Sequence, residues 1–322
     1  MFLVLVVHAD FLSLGKPTFT DYTLNPIASL TRVLFESFSI ICVNIFILIS
    51  GWFKIKSTLK GVINFLFQCL FISLSIYLIA ILSGNYNGGL RTLILDGVFF
   101  QYPGFWFIQS YLILYILSPI LNVFVEKGNK RTMLSFLLAF YILQTALSTL
   151  GFLNSKYFLG GYSPLSFIGL YLLSSTVKLY FYNFKIGTAH LFFFISLFLV
   201  FIFNSIICFS RFELYIDFLA YSNPLVILES LGLFLIFTRI RIKHNRLLNW
   251  ISASSFAVYI FHIHPLIFDH FKYINQMIYQ NYNSIYCLLI LFFFIVVVFC
   301  IGIIIDQPRR YLWKILSSIV KF

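Results

Sequence analysis

The sequence predicts an all-α integral membrane protein: a bundle of about ten transmembrane helices with both termini cytoplasmic. Three observations carry this prediction. Of 322 residues, 61% are hydrophobic and only 10% charged, whereas a soluble domain needs about a quarter of its residues charged to solvate its surface. The apolar residues gather in long unbroken runs, not in the ten-residue alternating segments of barrel strands. The basic residues between the runs divide unequally between alternate sides, as they do around membrane helices.

The runs are Met1–Leu14, Phe38–Phe53, Gly61–Ser83, Phe105–Val125, Thr132–Leu153, Tyr162–Tyr182, Thr188–Phe209, Tyr221–Phe237, Leu247–Phe268 and Ser284–Ile305. Most approach or exceed the ~20 residues a helix needs to cross the hydrocarbon core. The first is shorter and lacks the basic start and small-residue cleavage site of a signal peptide, so its helix is expected to be N-terminally truncated. Sixteen of the 22 Lys and Arg lie in one set of connecting segments: Lys54, Lys56, Lys60; Lys127, Lys130, Arg131; Lys178, Lys185; Arg239, Arg241, Lys243, Arg246; and Arg309, Arg310, Lys314, Lys321. The other set holds Lys16, Arg32, Arg91, Lys156, Arg211 and Lys272, together with Asp21, Asp96, Glu213, Asp217 and Asp269. The richer set is assigned to the cytoplasm. The net charge of +12 is therefore read as a topology signal and not as a nucleic-acid surface. No linker, repeat or low-complexity stretch divides the chain, so residues 1–322 are read as one membrane domain. The five cysteines are isolated and odd in number, which indicates neither a disulfide framework nor a zinc site.

Against this apolar background the ionisable residues inside the runs stand out, because a charge in the bilayer is costly and is kept mainly for function. His8 lies in the first run and Glu229 in the eighth, among Leu225, Val226, Ile227, Leu228 and Leu231. Glu36 follows Arg32 by four residues, the spacing of an intrahelical ion pair. Tyr259 and His262, three apart, share a helix face, whereas Asp10, two from His8, points elsewhere. No cluster of Cys, His and carboxylate residues completes a metal site. Trp106 has the ordinary reading of an interface anchor and the sharper one of a sugar-stacking platform. Ser50-Gly51 permits close helix approach or lines a channel.

Four stretches resemble the acyltransferase 3 family, membrane acyltransferases that O-acetylate bacterial surface polysaccharides and related glycans. They are Val4-Leu5-Val6-Val7-His8-Ala9; Val43-Asn44-Ile45-Phe46-Ile47-Leu48-Ile49-Ser50-Gly51-Trp52-Phe53; Trp106-Phe107-Ile108 with Tyr111, Tyr115, Pro119 and Asn122; and Ser254-Ser255-Phe256-Ala257-Val258-Tyr259-Ile260-Phe261-His262. The family's arginine eleven residues before the first-helix histidine would precede Met1, and its two-arginine loop motif is replaced by Lys54, Lys56 and Lys60.

The resemblance implies a multi-pass inner-membrane O-acetyltransferase with acetyl-coenzyme A as donor and a cell-envelope glycan as acceptor, holding no tightly bound cofactor. A homo-oligomer is compatible with it. His8 is then the general base on the acceptor hydroxyl or the carrier of a transient acyl group, with Glu36, Tyr259 and His262 as further catalytic candidates. Glu36 would orient the imidazole, and Tyr259 is a candidate oxyanion donor. Lys54, Lys56, Lys60, Arg239 and Arg241 are candidates for the donor phosphates. Asp10, Arg32, Ser50, Trp106 and Glu229 complete the polar set expected inside the bundle. The rival reading is a glycan exporter or small-solute transporter, against which stands the lack of inverted repeats and of paired Gly/Pro-broken helices.

Overall fold

The structure, a computed structural model, describes residues 1–149, 158–210, 217–281 and 284–319, and these form helices and connecting turns without a strand. In chain order the helices are α1 (Phe2–Ala9), α2 (Phe11–Leu14), α3 (Phe19–Leu24), α4 (Pro26–Ser39), α5 (Cys42–Phe53), α6 (Leu59–Leu82), α7 (Leu90–Thr92), α8 (Trp106–Lys127), α9 (Lys130–Gln144), α10 (Pro164–Tyr180), α11 (Ile186–Phe209), α12 (Pro224–Thr238), α13 (Arg246–His262), α14 (Pro265–Asn281) and α15 (Ser284–Ile319). Polar residues ahead of the apolar runs open them. Asn25, Ser163 and Asn223 each cap a helix whose first residue is proline, where the missing N–H costs nothing. Thr18 and Asp21 form a capping box at α3. The Thr18 backbone N–H and hydroxyl hold the Asp21 carboxyl below the usual carboxylate range.

Six helical stretches among the described residues are long and apolar enough to cross a membrane: Pro26–Phe53, Leu59–Leu82, Leu90–Lys127, Lys130–Ser148, Ile186–Phe209 and Tyr286–Ile319. The bent pair α13–α14 makes a seventh if taken as one span, while Phe2–Leu14 and α12 are apolar but shorter. The ten expected crossings thus correspond to six or seven helices of sufficient length, with the other runs folded as shorter helices.

Four boundaries differ from the sequence reading. The first run breaks at Asp10, whose backbone (φ −93°, ψ −100°) separates α1 from α2. The second run begins at Pro26 and not at Phe38, because Arg32 and Glu36, which lower the local hydropathy, are buried at 8% and 3% exposure. The ninth run ends at His262, and α14 departs at 86°. Pro265 cannot donate to a continuing helix, and the His264 ring accepts the Leu266 N–H at 3.3 Å, capping α14. The tenth extends to Ile319. The end of the fifth, at Leu153, lies outside the described residues.

The chain forms two compact units: Met1–Gly15, Ser57–Gln109 and Lys243–Phe322 in the first, Lys16–Lys56 and Ser110–Ile242 in the second. In the first unit α13 lies against α15 and α6, and α1 against α14 and α15. Gly302 makes the α13–α15 approach possible: a Cβ there would meet the Val258 Cα at 2.8 Å. In the second unit α5 packs on α10, and α12 on α11. A Cβ on Gly51 would collide with the backbone carbonyl of Tyr171, so Gly51 permits the close approach of α5 and α10. Ser174, Ser175 and Lys178 of α10 bond the Leu48, Gly51 and Trp52 carbonyls at 2.5, 2.8 and 2.7 Å, satisfying the C-terminal end of α5. Pro119 interrupts α8, and the Ser118 hydroxyl donates at 2.8 Å to the Tyr115 carbonyl that proline leaves without its N–H.

Candidate active site

The first unit brings together the first and fourth of the stretches that carry the family resemblance. His8, in the last turn of α1, places Nδ1 at 2.7 Å from Nε2 of His262, the final residue of α13, 254 positions later. His262 is fully buried, and its Nδ1 lies 2.6 Å from the Val258 carbonyl one turn back. His8 is only partly buried. Among the described residues nothing hydrogen-bonds its Nε2. The elbow between α13 and α14 lays two aromatic rings over the pair: Phe268 meets His8 edge-on with centroids 6.0 Å apart, and Phe271 meets His262 at 5.6 Å. Ser13 anchors this corner. Its hydroxyl donates to the His8 carbonyl, and its own carbonyl accepts Gln276 Nε2 of α14 at 2.8 Å.

Tyr259 lies one turn before His262 with its ring 6.2 Å from that imidazole, and its hydroxyl donates to the Gly104 carbonyl at 2.5 Å. Its proton is thus engaged in tying α13 to the segment that leads into α8. His264 is fully buried and caps α14, with Nε2 3.4 Å from the Ser73 hydroxyl. Asp10 occupies the α1–α2 break. Trp106 opens α8 half-buried, edge to face with Phe107. Lys60 is exposed near the start of α6.

The second unit gathers the second stretch and the part of the third from Tyr111 to Asn122. The Ser50 hydroxyl donates to the Phe46 carbonyl at 3.0 Å and lies 3.4 Å from the Tyr111 hydroxyl. Tyr115 donates to the Lys56 carbonyl at 3.3 Å, and Asn122 Nδ2 to the Ile55 carbonyl at 3.0 Å. These residues shape the turn after α5. Of the basic residues assigned to donor phosphates, Lys54 pairs with Glu126 at 2.9 Å, and Arg239 bonds the Tyr182 and Phe184 carbonyls at 2.8 and 3.2 Å. Lys56 and Arg241 are exposed. Arg32 and Glu36 lie one turn apart on α4, both buried. The group on the His8 ring is His262 of its own unit. Glu229 of α12 is fully buried, with neither carboxyl oxygen hydrogen-bonded.

The sequence reading missed one buried ionic cluster. Asp306 and Arg309 of α15, at 0% and 4% exposure, form a bidentate pair at 2.8 and 2.7 Å. Gln68 of α6 donates to Asp306 at 3.2 Å, and Asn64 accepts from Arg309 at 3.2 Å. The i, i+3 spacing of acid and base was the available signal, but Arg309 had been counted as a loop charge. No group of three or more His, Cys, Asp or Glu residues lies together among the described residues.

Comparison with known families places this polytopic helical chain. A family model described as an acyltransferase domain matches residues 1–305, and the chain belongs to this acyltransferase 3 family. It is a membrane acyltransferase. Neither the curated proteins nor the solved structures gave a significant match.

Proposed function

We propose that this acyltransferase moves an acetyl group from acetyl-coenzyme A to a sugar hydroxyl of a cell-envelope polysaccharide, from within the inner membrane of a bacterium. His8 is the general base. It removes the hydroxyl proton as the acceptor oxygen bonds to the acetyl carbon, the C–S bond breaks, and the departing thiolate is protonated to coenzyme A thiol. The single observation that supports this reading is the placement of His8: a part-buried histidine in an apolar helix, held by a second, buried imidazole at 2.7 Å. Group transfer to a hydroxyl needs a positioned base of this kind, and an ionisable group at this depth is expensive without a task. Of the five candidates, Lys56, Lys60 and Arg241, exposed and in no ion pair among the described residues, are the basic groups open to the donor phosphates.

The test uses membranes carrying the protein, radiolabelled acetyl-coenzyme A and isolated envelope polysaccharide. Label should enter the glycan with the wild-type protein. His8→Ala should lower the rate about 10²–10⁴-fold at unchanged membrane abundance. Near-normal turnover in His8→Ala would remove the base from this role. Glycan transport without any labelling would point to the exporter reading.

A further inference from the structure

The two histidines do not play equal parts, and the backbone decides which does what. A carbonyl oxygen only accepts, so the 2.6 Å contact between His262 Nδ1 and the Val258 carbonyl fixes a hydrogen on Nδ1. A neutral imidazole with Nδ1–H has only a lone pair on Nε2. His262 is fully buried, and among the described residues no carboxylate bonds it. The neutral ring is therefore the form its surroundings accommodate. The 2.7 Å contact can then be made in one way: His8 Nδ1 donates to His262 Nε2. His8, neutral, is left with its lone pair on Nε2, the one ring nitrogen of the two residues that no described group occupies.

We propose that His262 is a positioning residue that selects the tautomer of His8. The chain of bonds runs from Val258 C=O to His262 Nδ1–H, then from His262 Nε2 to His8 Nδ1–H, and leaves His8 Nε2 as the only atom of the pair that receives a proton. This inference rests on the reading of His8 as base and adds the residue that aims it. A neutral imidazole here holds the orienting position that a carboxylate holds beside other catalytic histidines. The difference has a consequence: it aims His8 without bringing a negative charge into the membrane. The pair takes up one proton, at His8 Nε2, without moving. A second would have to enter the bonded gap between the rings and would push them apart. Gly302 belongs to the same device, since it lets α15 close on Val258, whose carbonyl starts the chain.

The experiment compares wild type with His262→Gln and His262→Phe, the full chain being purified in lipid nanodiscs with ¹⁵N-labelled histidine. His8 is identified by the signal lost in His8→Ala. In the wild type at neutral pH, Nδ1 of His8 should show the protonated, pyrrole-type shift and Nε2 the lone-pair, pyridine-type shift. His262→Gln keeps an acceptor oxygen, so it should keep that pattern and an acetylation rate within about tenfold of wild type. His262→Phe keeps the ring but no acceptor. His8 should then show mixed tautomers, and kcat should fall about 10²-fold with KM unchanged. A wild-type His8 carrying its hydrogen on Nε2 would overturn the proposal, as would a His262→Phe protein that keeps both the tautomer and the rate. The tautomer is read without turnover. A protein that shows the predicted shifts but acetylates nothing would refute the proposed function and uphold the positioning role.

Discussion

The two compact units treat their buried polar groups in opposite ways. In the first, ionisable side chains come in sets that satisfy each other: His8 with His262, Asp306 with Arg309, Gln68 and Asn64, and His264 with Ser73 and the backbone of α14. Among the described residues the first unit leaves one buried side-chain atom unbonded, the Asn275 carbonyl oxygen. The second unit leaves several, including both oxygens of Glu229, the Asn204 amide nitrogen, and the Thr176 and Tyr141 hydroxyls. Where no water competes, a missing partner costs the full desolvation of the group. The first unit therefore gains rigidity from its polar residues, while the second carries them at a cost to stability.

The largest test of this contrast lies at Asp306. Removing one partner of a buried ion pair strands the other, so Asp306→Ala should lower the stability of the detergent-solubilised protein by about 3–5 kcal/mol. The joint change Asp306→Leu with Arg309→Met should cost far less. A thermal unfolding midpoint unmoved in Asp306→Ala would break the description of the first unit as mutually satisfied. Next comes Gly51→Ala, whose methyl group has no room against the Tyr171 backbone. A loss of about 1–3 kcal/mol is expected, and an undiminished midpoint would show that α5 and α10 can separate freely. The smallest effect has the opposite sign. Glu229→Leu removes a buried carboxyl that bonds nothing among the described residues, and stability should rise by about 1 kcal/mol. If stability drops instead, Glu229 has a partner beyond the described residues, and the contrast between the two units narrows.

Much of this architecture was legible in the sequence, for a definable reason. Hydropathy is a sum over neighbours, so it located the helices that face lipid along most of their length, such as α6 and α11. It failed where a helix buries charge. Arg32 and Glu36 lowered the local sum and moved the expected start of the second run twelve residues along the chain, from Pro26 to Phe38. It also failed at His264-Pro265, where a ring and a missing N–H, not polarity, end the helix. The site was legible as residues but not as a pair. His8 and His262 each stood out, yet nothing local relates positions 254 apart. Distance along the chain hid the contact, and only the packing of α1, α13 and α14 shows it.

The elbow between α13 and α14 also acts as a gauge of depth. Where α13 runs along the bilayer normal, a helix leaving it at 86° lies flat in the membrane plane. α14 is suited to that position, with Phe268, Phe271 and Ile278 turned inward and Asp269, His270 and Tyr273 outward. His262 precedes Pro265 by three residues, about 4–5 Å along a helix axis. With α14 lying in the interface, the pair would sit about one helical turn beneath that layer, well short of the ~15 Å that separates either face of the hydrocarbon core from its midplane. At that level the thickness and headgroup composition of one leaflet set how wet the histidines are. The lipid in which the enzyme is reconstituted thus becomes a variable of its chemistry.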